Sequence, residues 1–183
     1  MPEWEAPPVV DRVAMIARWK PVHLGHAAVL EGLARAGRHV VVGIGSSNVY
    51  DARNPFTAGE TRSMLALVLG DLPHVEVREV PDLGHGPRWR AMVVDMLGPL
   101  DVFFTANAYV KSLLERDYRV VHPVHLVPPE RRVRIDGTMV RRAMLAGEDW
   151  RSLVPPAVAE WLDAQGLVTR FLRELGGHPT PDG

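Results

Sequence analysis

The run Ala17-Arg18-Trp19-Lys20-Pro21-Val22-His23-Leu24-Gly25-His26 decides the fold. It follows an apolar segment, Val9 to Ile16, that reads as a buried strand, and it leads into Ala27 to Ala36, which reads as a helix. Two histidines three apart, with a glycine just before the second, therefore sit where a strand hands over to a helix N-terminus. That end of a helix carries unpaired N–H groups and partial positive charge, so it suits a phosphate. Imidazoles there donate hydrogen bonds to phosphate oxygens without the bulk of a long basic side chain, and Gly25 lets backbone approach closely. Ordinary packing histidines are one alternative and a zinc site another. Zinc would need further ligands, yet the chain has no cysteine and no His-Glu-x-x-His pair.

Outward from this run, strands and helices alternate. The expected strands are Val9 to Ala17, His39 to Ile44, Val75 to Val80, Asp101 to Thr105 and Arg119 to Val121, short runs rich in Val, Ile or Phe that suit a parallel sheet covered on both faces. The expected helices are His26 to Ala36, Ala58 to Leu69, Pro87 to Leu97, Ala108 to Arg116, Thr138 to Leu145, Pro156 to Gln165 and Val168 to Leu175. Thr57 with Glu60 forms a capping-box pattern, and Pro155-Pro156 fits a first helical turn. The pattern predicts an α/β, doubly wound parallel sheet with right-handed crossovers and a short C-terminal helical extension, one domain over residues 9–175. A frayed Gly- and Pro-rich tail is expected at 176–183. Ligands of such sheets bind beyond the carboxyl ends of the strands. Residues 18–26, 45–57, 81–89, 105–107 and 136–141 all follow strands or open helices, so one crevice can gather them.

With 183 residues, 46% apolar content and a net charge of −1, the composition fits one globular domain and argues against a nucleic-acid or membrane-surface binder. The absence of cysteine excludes disulfides, thiolate metal sites and cysteine nucleophiles. No leader pattern and no bilayer-length apolar run is present, so a cytoplasmic protein is expected. Lys20 and Lys111 are the only lysines.

The His-x-Gly-His pattern resembles the signature of the nucleotidyltransferase superfamily, in particular archaeal-type nicotinamide mononucleotide adenylyltransferases. The resemblance continues in order through Gly43-Ile44-Gly45-Ser46-Ser47, Asn54-Pro55-Phe56-Thr57-Ala58-Gly59-Glu60, Pro81-Asp82 with Trp89, Thr105-Ala106-Asn107 and Asp136-Gly137-Thr138-Met139-Val140-Arg141-Arg142. It implies a Rossmann-like fold and nucleotidyl transfer: a phosphate-bearing acceptor attacks the α-phosphorus of a nucleoside triphosphate, and pyrophosphate leaves. Such an acceptor is already nucleophilic, so catalysis rests on positioning and electrostatics. By the resemblance, His23, His26, Arg18 and Arg141 are the catalytic donors, Arg141 gripping the β- and γ-phosphates, with Mg²⁺ accompanying the triphosphate. Gly25, Asn107, Gly137 and Thr138 bind nucleotide. Arg53, Asp82 and Trp89 face the acceptor, Arg53 on its phosphate and Trp89 stacked on a nicotinamide ring. Arg142 reads as a surface residue, Trp19 and Trp150 as packing residues, and His122 and His125 as structural. Family members assemble, so a homo-oligomer is expected.

Several positions depart from the family pattern. Ala17 and Ala106 stand where glycine is usual, Asp136 where serine is usual, and Gly86 where relatives carry asparagine four residues after the loop aspartate. A pocket that loses a polar partner changes which acceptor it favours. Two substrate readings therefore stand side by side: ATP with nicotinamide mononucleotide giving NAD, and CTP with a small phosphonate, for which Arg88 beside Trp89 is a candidate anion ligand. A non-catalytic nucleotide-sensing domain is the reading from another class, and the intact His23, His26 and Arg141 count against it.

Overall fold

The computed structural model describes residues 3–177. Five parallel strands form one sheet: β1 (Val10–Ala17), β2 (Gly37–Gly45), β3 (Val75–Val80), β4 (Val102–Phe104) and β5 (Val120–Val121), in the order β3-β2-β1-β4-β5. The intervening helices are α1 (Leu24–Ala36), α2 (Ala58–Leu69), α3 (Gly86–Leu97) and α4 (Ala108–Leu114). After β5 come α5 (Gly137–Ala146), α6 (Pro156–Ala164) and α7 (Leu167–Leu175). The expected 176–183 tail falls outside the described residues from 178 onward.

Side-chain alternation along the strands divides the core. Val13, Met15, Val40, Val42, Ile44, Val102 and Phe104 point to one face, where α1, α2 and α5 to α7 cover them. Ala14, Val41 and Phe103 point to the other, against Val93 and Leu97 of α3 and Leu114 of α4. Both faces are thus covered at the centre of the sheet, where the strands read as apolar runs, while charged residues such as Asp11, Arg38, Glu76 and Glu79 mark the strand starts and the β3 edge that meet water.

The chain runs from β1 out to β3, then returns to the far side of β1 for β4. At that reversal the connections after β1 and β4 diverge to opposite faces, opening a crevice at the carboxyl ends of the two strands. The C-terminal helices brace one wall of it. Arg170 of α7 pairs with Glu60 of the α2 cap, donates to the Pro55 carbonyl at 3.0 Å and lies over the Tyr50 ring. Phe171 meets Phe56 edge-on, with centroids 6.4 Å apart, a contact worth about 0.5–1.5 kcal/mol beyond its burial. Among the described residues no helix is long and apolar enough to cross a membrane.

Candidate active site

Immediately after β1 the chain bends through Trp19, whose φ of +57° is a left-handed conformation in a non-glycine residue. Such a conformation costs roughly 1–3 kcal/mol unless its surroundings hold it. Here the indole is buried, its Nε1–H donates to the Gly43 carbonyl at 2.8 Å, and its ring leans on His26 at 4.7 Å. This bend delivers His23 to the N-cap of α1. The His26 N–H donates to His23 Nδ1 at 3.2 Å, and the His23 N–H donates to His26 Nδ1 at 3.3 Å. The rings stack at 3.5 Å. This is a capping box built from two imidazoles, where serine with glutamate is usual.

With each Nδ1 accepting from backbone, each neutral ring carries its hydrogen on Nε2. Both are held neutral. Burial brings His23 down to about 4, with the Asp136 charge pulling the other way and Arg141 adding a smaller push downward. Burial first, then His23, lowers His26 well below the usual imidazole range, while the Pro21 backbone acts in the other direction. Gly25 is needed for packing: a Cβ there would stand 3.0 Å from His23 Cε1 and 3.1 Å from the Ile135 carbonyl oxygen.

Cationic charge comes from arginines and one lysine. Arg141, 6% exposed, donates through Nη1 to the Lys20 carbonyl at 3.0 Å and through Nη2 to Thr138 Oγ1 at 3.3 Å, while its Nε is buried without a partner. Burial, then Arg18 and Arg53, lowers it to about 10, so it remains charged at neutral pH. Arg18 is shifted in the same direction, by burial and then by Arg53. Lys20, 1% exposed, donates to the Ser46 carbonyl at 2.8 Å and reaches Asn54 Oδ1 at 3.4 Å; burial, then Arg18, brings it down to about 8. Its carbonyl and ammonium thus tie Arg141 to the loop after β2.

These elements enclose one cavity of about 960 Å³, lined among others by Arg18, His23, Gly25, His26, Arg53, Asp82, Trp89, Asn107 and Gly137. The volume is that of a pocket for small molecules or nucleotides. Three sequence-derived candidates do not line it. Arg141 stands behind the wall, its Nη1 only 2.6 Å from where a Cβ on Gly137 would lie. Thr138 is Arg141's partner. Arg88 is exposed on α3, with its backbone N–H capped by His85, while neighbouring Trp89 faces the cavity and packs on the second core.

Two other candidates, and the departing residue Asp136, have polar atoms already committed. Asn107 Oδ1 accepts the Tyr109 and Val110 N–H groups, which leaves its amide N–H₂ for a ligand. Asp82 accepts the Gly84 N–H and is clamped through its backbone by Asn48. Asp136 caps α5 by accepting the Met139 N–H at 2.8 Å, so an internal carboxylate already takes one amide of the turn expected to receive an anion. Asp51 likewise organises the Arg53 and Asn54 amides, and despite burial these bonds hold its carboxyl below the usual range.

Sequence reasoning missed Lys20, whose burial had one outward sign, its being one of two lysines in the chain. It also missed Tyr109 and His122 as cavity residues. His122 caps the following turn through Nδ1, as a structural residue would, and lines the cavity as well.

Residues 14–143 match the cytidylyltransferase-like family. The chain belongs to that family. It is a nucleotidyltransferase, and its relatives name one kind. It is 38% identical over 171 residues to the nicotinamide-nucleotide adenylyltransferase of Methanoculleus marisnigri, covering 91% of this chain and 99% of that one. With the same-named protein of Methanolobus tindarius it shares 36% over 163 residues, 87% of this chain and 92% of the relative. In fold it is similar to a bifunctional NMN adenylyltransferase/ADP ribose pyrophosphatase from Francisella tularensis, with a TM-score of 0.67 at 18% identity over 91% of this chain and 51% of that one. A second structure of that enzyme, complexed with AMP and a manganese ion, matches with a TM-score of 0.64 at 19% identity, over 90% of this chain and 52% of that one. In this cytidylyltransferase-like chain no cluster of three metal-ligating side chains occurs among the described residues.

Proposed function

We propose that the protein transfers AMP from ATP to nicotinamide mononucleotide, forming NAD and releasing pyrophosphate. One observation carries this reading: two neutral histidines, Arg18 and Arg53 line one cavity together with Trp89, and Arg141, behind the Gly137 wall, adds a third guanidinium that the other two repel. Asp51 and Asp136 offset this repulsion only in part, so an anion that enters is drawn to the gathered cations. The names of the relatives supply the substrates.

In this mechanism the His23 and His26 Nε2–H groups and Arg18 hold the triphosphate, with Arg141 adding charge from behind Gly137. Arg53 draws the acceptor's phosphate toward the α-phosphorus against the repulsion of two anions, and Trp89 walls the base. The phosphate oxygen attacks, the bond to the bridging oxygen breaks, and the charge developing on pyrophosphate is met by donors already in place. Mg²⁺ carried by the nucleotide supplies further charge neutralisation when bound. A protein that consumes ATP in this way belongs in the cytoplasm, and we expect it to assemble as a homo-oligomer, like its family. The CTP-and-phosphonate reading loses its distinguishing ligand, since Arg88 is outside the cavity lining. The test is product formation: NAD and pyrophosphate should appear together from ATP and nicotinamide mononucleotide. Pyrophosphate release only with CTP and a small phosphonate would overturn the reading.

A further inference from the structure

Tyr109 is 63% exposed, an unusual position for a large aromatic, and it stands on the cavity wall that also holds His85, Gly86 and Trp89. It is not loosely placed. Its backbone N–H is fixed by Asn107 Oδ1 at 2.9 Å, and its phenol lies across Gly86, the first residue of α3. A Cβ built on Gly86 would overlap the Tyr109 hydroxyl and would stand 3.2 Å from its Cζ and 3.1 Å from Leu113 Cδ2. Gly86 is not among the positive-φ residues, so its backbone does not call for glycine. What calls for glycine is the phenol. The helix gives up a side chain at its first position, and the space is filled from α4. The hydroxyl so placed has no hydrogen-bond partner among the described residues.

A fixed, unpartnered hydroxyl at a ligand wall is a recognition element. It both donates and accepts, so it can serve the C=O or the NH₂ of a planar amide. We infer that Tyr109 is a specificity-determining residue of the acceptor site, its hydroxyl hydrogen-bonding the polar substituent of the acceptor's ring while Gly86 keeps the phenol in place. This rests on the proposed transfer to nicotinamide mononucleotide.

The test measures steady-state kinetics of NAD formation for the full chain, Tyr109→Phe and Gly86→Ala, with thermal midpoints recorded alongside. Tyr109→Phe removes one oxygen and keeps the ring, so the fold should persist. Its KM for nicotinamide mononucleotide should rise about five- to tenfold, the worth of one neutral hydrogen bond, with KM for ATP unchanged. Gly86→Ala, which displaces the phenol, should produce the same selective rise. A rise in both KM values, or a KM for the acceptor within about twofold of the parent in both variants, would overturn the Tyr109 assignment alone. If the parent protein forms no NAD, the proposed function falls, and the Tyr109 assignment with it.

Discussion

His23 and His26 cap each other: each backbone N–H donates to the other's Nδ1, at 3.3 and 3.2 Å, and the rings stack at 3.5 Å. Closing the end of α1 is thus the work of Nδ1, and the phosphate-binding function proposed for the pair would fall to the Nε2–H groups.

Asparagine separates them. His23→Asn keeps a short side-chain acceptor suited to an N-cap but loses the Nε2 donor. It should stay folded, with a thermal midpoint near the parent's, while kcat falls about 10²- to 10³-fold, as for loss of one oxyanion donor. Near-normal turnover would exclude His23 from the phosphate site.

The depressed basicity of the pair sets an acid limit on stability. His23 holds its proton only below about pH 4, whereas the unfolded chain's imidazole binds one near 6.5. Between these values the unfolded state binds more protons, so stability rises with pH. The contribution is complete above about pH 6.5 and is lost as pH falls toward 4. Thermal midpoints measured across this window should fall on acidification, and more gently in His23→Asn. Parallel curves would show that His23 titrates normally.

Arg141 bridges Lys20 and Thr138 with two nitrogens, which a lysine cannot do. Arg141→Lys should lower kcat by roughly 10²-fold, while Arg142→Lys, at an exposed position, should be close to silent. Gly137→Ala would press on Arg141 Nη1 and should lower kcat without a comparable loss of thermal stability. Equal effects from the two lysine variants would show that the buried guanidinium has no special part.

Arg53 raises the electrostatic cost of the empty site, since it opposes the charges of Arg18 and Arg141. Arg53→Gln should therefore raise the thermal midpoint of the ligand-free protein, by about 2 °C. It should also weaken acceptor binding about tenfold or more. A lower midpoint together with normal acceptor KM would refute both halves.

Much of this was legible in residue order. The strand runs and the Thr57–Glu60 box place the sheet and helices to within a residue or two at most boundaries, because both-face burial and capping are local signals. The loops after strands do meet at one cavity, since the fold leaves them nowhere else to converge. Orientation was not legible. Arg88 and Trp89 are adjacent in sequence but about 100° apart around α3, so only one of them faces inward. Lys20 was invisible because its burial depends on carbonyls contributed from beyond β2. The contact between Gly86 and Tyr109 joins two helix starts that no local pattern connects.

The ion pair of Arg170 with Glu60 has a practical consequence. Helix α7 lies 110 residues from the cap it holds and supplies nothing to the cavity lining, yet through Glu60 and the Pro55 carbonyl it fixes the strand-to-helix connection that carries Arg53. A chain shortened before Leu167 would keep every lining residue and lose the brace on one of them. For anyone trimming, tagging or fusing this protein, the last helix counts as part of the machinery and not as an appendage.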